Sequence, residues 1–92
     1  MKTCWKITHD SLRLIEREPA ATLFEEMARE QGEDVLQAEF LSPEKRRVLD
    51  LGWYRDRYLV SLVEDGGWDM PIERIDCHDL KSALETFRRL TA

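Results

Sequence analysis

The sequence predicts one small α+β domain, an antiparallel meander sheet of three to five strands with two main helices packed on one face. Three observations predict it. Two segments each carry a single apolar stripe at helical spacing, the stretches between them alternate apolar and polar residues, and glycine or proline marks several junctions.

Residues 19–31 read as the first helix. Pro19 suits a first helical position, where the N–H would lack a partner anyway. Ala20, Leu23, Phe24, Met27 and Ala28 follow the i, i+3, i+4, i+7, i+8 spacing of a buried stripe. Glu25, Glu26, Arg29 and Glu30 fall mostly on the other face, and Gly32 supplies the stop. Residues 79–90 form the last helix, with Leu80, Ala83, Leu84, Phe87 and Leu90 on one side. Asp79 near its start and Arg88 and Arg89 near its end match the helix dipole.

Between the helices the period changes to two. In 35–41, Leu36, Ala38 and Phe40 alternate with Gln37 and Glu39, and Ser42-Pro43-Glu44 reads as a turn. In 47–53, Leu49, Leu51 and Trp53 oppose Val48 and Asp50. The stretch 58–63 is rich in β-branched and aromatic residues, as a central strand is. Gly66-Gly67 breaks the pattern, and 71–75 begins with proline, which suits an edge strand. Near the start, Trp5 and Ile7 alternate as a strand. After His9-Asp10 two continuations stay open: a return strand through Leu12 and Leu14, or a short helix capped by Asp10 or Ser11 and ended before Pro19. The helix is preferred. The expected core is Leu23, Phe24, Met27, Leu49, Leu51, Val60, Leu62, Leu84 and Phe87.

The chain has 92 residues, 42% of them hydrophobic and 36% charged, which fits one globular domain with a densely charged surface. No apolar run approaches the ~20 residues of a membrane span. The first residues, Met1 to Lys6, lack the apolar stretch of a secretory signal, so a cytoplasmic protein starting at Met1 is expected. The formal net charge of -5 opposes indiscriminate nucleic-acid binding and permits a basic partner.

Cys4, His9, Cys77 and His78 are the candidate metal ligands. Their spacing offers no tight ligand pair, and adjacent Cys77 and His78 converge only from a turn, so no metal and no cofactor are expected. A Cys4–Cys77 disulfide is geometrically open if the first strand lies beside the segment before the last helix, but a reducing cytoplasm opposes it. Cys77-His78-Asp79 has the residue types of a catalytic triad, yet triad members meet across a fold, and Asp79 is explained as a helix-start residue. Neither a glycine-rich phosphate loop nor a nucleophile elbow is present. Glu25-Glu26 and Glu33-Asp34 lie on a solvated helix face and its exit. No catalytic residue is assigned, and the protein is expected not to be an enzyme.

Residues 19–90 follow the α-β-β-β-α order of double-stranded-RNA-binding domains. The resemblance ends with that order. The start of the last helix holds Cys77, His78 and Asp79, with Lys81 as the nearby cation, where such domains place a lysine cluster. Glu25, Glu26 and Glu30 occupy the helix that would meet the minor groove.

Aromatic and arginine clustering carries the remaining signal. Residues 52–57 read Gly-Trp-Tyr-Arg-Asp-Arg, and Trp68 follows two glycines in a loop. Arginine, tyrosine and tryptophan dominate the energetic centres of protein interfaces. Trp53 and Tyr54 are consecutive, so in a strand one of the two rings faces away from the core. Trp53 as core and Trp68 as cover for a sheet edge are the competing structural readings. The expectation is a non-catalytic protein that binds another protein stoichiometrically, of inhibitor or immunity type. Trp53, Tyr54, Arg55, Arg57 and Trp68 are its contact candidates, and Glu25, Glu26 and Glu30 form an acidic face that imitates nucleic-acid charge toward a basic partner. The alternatives are an RNA-binding module and a structural homodimerisation domain.

Overall fold

Each strand of the protein pairs antiparallel with the next, giving a five-stranded sheet in the order β1-β2-β3-β4-β5. The strands are β1 (Trp5–His9), β2 (Leu36–Leu41), β3 (Arg46–Tyr54), β4 (Arg57–Glu64) and β5 (Glu73–Cys77). A 3₁₀ helix (Ala20–Phe24) runs into α1 (Glu25–Gln31), and α2 (Leu80–Thr91) ends the chain. The structure, a computed structural model, describes residues 5–17, 20–42 and 44–92. The predicted roles of Cys4, Glu18, Pro19 and Pro43 lie outside the described residues.

The register stacks apolar residues in rows across the sheet. Leu36, Leu51, Val60 and Ile75 form one row, Ala38, Leu49 and Leu62 a second, and Trp53, Tyr58 and Cys77 a third. The buried members join Leu80, Ala83, Leu84 and Phe87 of α2, Ala28 of α1, Ala21 and Leu14 in one core. Buried residues of both helices thus join the core on that face of the sheet, and the α2 stripe lies there as its spacing predicts. Asp79 begins α2 with its carboxylate accepting the N–H of Ser82 at 2.8 Å. Among the described residues no helix is long and apolar enough to cross a membrane.

Three expectations need correction. Leu23 and Met27 are exposed, not core, and Ala20 is exposed as well. The chain over Ala20–Phe24 is 3₁₀, which advances about 20° more per residue than an α-helix, so the α-helical stripe does not hold. Burial moves to Ala21 and Ala28, and Phe24 is half-buried. Second, residues 11–17 are turns, neither a return strand nor a helix. The Asp10 carboxylate accepts the N–H groups of Leu14 at 2.9 Å and Ile15 at 3.1 Å, and Leu14 is buried beneath them. Third, the edge strand starts two residues after Pro71, at Glu73. Of the remaining expected core, Leu49, Leu51, Val60, Leu84 and Phe87 are buried and Leu62 is half-buried against them.

Candidate protein interface on the open sheet face

The sheet face turned away from the helices carries Val48, Asp50, Gly52 and Tyr54 of β3, Arg57, Leu59, Ser61 and Val63 of β4, and Arg74 and Asp76 of β5. Toward the β3–β4 hairpin it opens into a basin of about 810 Å³, lined by Tyr54, Arg55, Arg57, Leu59, Arg74 and Asp76 together with Gly32, Glu33 and Trp53.

The hairpin closes on the Tyr54–Arg57 pair, with Arg55 and Asp56 as its turn. Arg55 has φ 63°, the left-handed conformation that side chains other than glycine, asparagine and aspartate rarely adopt. Arg57 is anchored, its Nη1 3.0 Å from Asp76 Oδ2 and its Nε 3.4 Å from Asp56 Oδ1. Arg55 and Arg74 make no ion pair among the described residues.

The opposite wall is the segment 32–35, which crosses the end of β3. Trp53 N–H donates to the Gly32 carbonyl at 2.7 Å, and Val35 N–H donates to that of Leu51 at 3.2 Å. Gly52 permits this crossing, since a Cβ there would stand 2.6 Å from the Glu33 carbonyl oxygen. Behind the wall sits Asp50, buried on a face that no helix covers. Its pKa is pushed up to about 7 by burial first and by the Asp34 carboxylate second, with Glu33 adding to the rise and a Gln37 hydrogen bond opposing it. His9 Nε2 lies 2.9 Å from the Asp34 carbonyl oxygen. Tyr54 is raised from its usual pKa by partial burial, then by Asp50, Glu33 and Asp34, while Arg74 pulls it down. The basin is thus divided, with carboxylates behind one wall, guanidinium groups on the other, and a phenol that feels both.

The structure brings Trp53, Tyr54, Arg55 and Arg57 around this basin. Trp53 belongs to it only at the edge. Its ring meets Tyr58 edge-on at 4.7 Å, and the Arg29 guanidinium lies 4.6 Å from its centroid. Trp68 lies apart from the basin, in the loop 65–72 with Met70 and Ile72, and is 49% exposed. Glu25 leaves the acidic face, because its carboxylate accepts the N–H of Leu80 at the start of α2. Glu26 and Glu30 remain exposed. The sequence places Glu33 only at the solvated exit of the first helix, and it singles out none of Leu59, Arg74 and Asp76. Period-two alternation from Arg57 points to Leu59, but Arg74 and Asp76 reach the basin through the β4–β5 register, which a single sequence does not display.

Among the described residues, no three histidine, cysteine, aspartate or glutamate side chains group to hold a metal. Cys77 is a buried free thiol 3.7 Å from Thr86 Oγ1. Planar donors beside an aromatic ring and the Leu59 side chain are suited to gripping a partner's surface. Compared with known protein families, curated proteins and solved structures, the chain matches none of them.

Proposed function

We propose that the protein is a non-catalytic, cytoplasmic inhibitor or immunity-type protein that binds another protein stoichiometrically through the basin beside the β3–β4 hairpin. The observation that carries this reading is the convergence of Tyr54, Arg55, Arg57, Leu59 and Arg74 on one open cavity, on the face that the helices leave free. Tyrosine and arginine contribute large contact area and multiple donors at small entropic cost. Arg55 supports it further, since strained backbone concentrates at functional sites.

The test is affinity capture from the native host's lysate with the intact protein and with Tyr54→Ala, followed by titration of the purified partner. The expected result is a 1:1 complex, weakened about tenfold or more by Tyr54→Ala, as for a residue at an interface centre. The melting temperature should not change. A complex equally tight with Tyr54→Ala, Arg55→Ala and Arg74→Ala would overturn the assignment to the basin.

A further inference from the structure

Leu23 is 83% and Met27 51% exposed, although both residue types are among those most often buried. They stand on the outer side of the first helical segment with Glu26 and Glu30, which are also exposed. Glu26 and Glu30 are i, i+4 on α1 with Met27 beside them, and Leu23 precedes Glu26 by the three residues of one 3₁₀ turn, so the four share one side. Neither Glu26 nor Glu30 makes an ion pair among the described residues.

The nearby cations are committed elsewhere. Arg29 lies 3.5 Å from Glu25 and rests on the Trp53 ring at 4.6 Å. Arg17 covers the Phe24 ring at 4.3 Å and donates its Nε–H to the Leu12 carbonyl at 2.9 Å. The row is therefore an apolar pair bordered by two carboxylates that make no ion pair among the described residues. Such a border repels an acidic partner and attracts a basic one, while the apolar pair rewards a surface that excludes water. Its spacing matches the apolar stripe of another helix.

We propose that this row is a second docking surface, independent of the basin, and that its occupant is a cationic amphipathic helix of a partner protein. Apolar side chains of that helix cover Leu23 and Met27, and its lysines or arginines meet Glu26 and Glu30.

The probe is a synthetic 18-residue peptide of leucine and lysine at helical spacing, titrated into the isotope-labelled protein and followed by amide shifts. Two controls accompany it: the same composition in scrambled order, and a version with glutamate in place of lysine. Shifts should concentrate at residues 22–30, and both controls should bind at least about tenfold more weakly. A Leu23→Ser, Met27→Ser double variant should lose about tenfold in affinity. Glu26→Gln with Glu30→Gln should lose severalfold at low salt and little at high salt. Melting temperatures should hold in both, because the replaced side chains are exposed. Tyr54→Ala should leave peptide binding unchanged, which separates this proposal from the basin reading. Equal binding of the scrambled peptide, shifts centred on the basin, or undiminished binding by the serine double variant would overturn it. So would a concentration-dependent dimer lost on Leu23→Ser, which would make the row a self-interface.

Discussion

The Glu25 carboxylate accepts the backbone N–H of Leu80, so a side chain 55 positions earlier in the chain closes the first turn of α2. The first N–H groups of a helix have no partner within it. Here Asp79 satisfies that of Ser82 and Glu25 satisfies that of Leu80. The Glu25 carbonyl in turn accepts the buried Tyr58 hydroxyl at 3.2 Å. One residue thus ties α1 to α2 and to the centre of the sheet.

Glu25→Ala should therefore cost about 1–2 kcal/mol of folding stability, the upper range for loss of a cap, and Asp79→Ala about 1 kcal/mol. Urea midpoints of the two single variants and the double variant measure both. Glu25→Lys should be worse than either, because it sets a cation against the positive end of α2. Any test of the acidic face must then use Glu26 and Glu30 alone. A loss for Glu25→Ala no larger than for Glu26→Ala would remove the cross-helix cap.

Asp50 gives the stability curve a distinctive slope. Its pKa is raised to about 7 in the folded protein, from 3.8. Between those values the folded state holds a proton that the unfolded state has released, so this group's contribution falls as pH rises and levels off above about 7. Asp50→Asn removes the ionisation with little change of shape. It should stabilise the protein at pH 8 by about 2–4 kcal/mol relative to its own effect at pH 4. Chemical denaturation of both proteins at the two pH values checks it, and a pH-independent difference would contradict it.

How far the sequence discloses this arrangement depends on the range of the interactions involved. Strand alternation and the α2 stripe are local patterns, and they place Leu49, Leu51, Val60, Leu84 and Phe87 in the core correctly. The first helix misleads because its opening turn is 3₁₀, and Leu23 and Met27 pass from core to surface through that one change of pitch. Tyr54, Arg55 and Arg57 are legible as a cluster because they are adjacent in sequence. Glu33 and Arg74 join them through the crossing over Gly52 and the pairing of β4 with β5. Neither contact leaves a trace in local periodicity.

Gly52 makes the crossing possible, and Gly52→Ala tests it. The added methyl would stand 2.6 Å from the Glu33 carbonyl oxygen and 2.9 Å from the Tyr54 ring. The first of these is backbone and cannot simply rotate away. The expected cost is about 1–3 kcal/mol, the range for forcing extra volume into a packed site. Amide shifts should be concentrated at 32–35 and Tyr54, with the α2 core unchanged. A substitution without cost would mean that the 32–35 wall moves freely and does not shape the basin.

Arg55 offers the sharpest separation of binding from folding. Among the described residues, three other than glycine have left-handed backbone: Arg13, Arg55 and Asp65. Arg13 secures its turn through Glu16, at 2.9 Å from Nε and 2.6 Å from Nη2. Asp65 belongs to a residue type that tolerates this conformation, and its carboxylate accepts the Arg46 N–H at 3.1 Å. Arg55 makes no hydrogen bond or ion pair among the described residues, so nothing in the fold repays its strain of about 1 kcal/mol. Arg55→Asn, which suits left-handed backbone, should raise stability by roughly 0.5–1 kcal/mol. The same change should weaken binding to the captured partner about tenfold, because the guanidinium at the rim of the basin is gone. Stability and affinity should move in opposite directions, a signature that a merely structural arginine does not give. A variant that is less stable and binds as tightly as before would assign Arg55 to the hairpin instead of the interface.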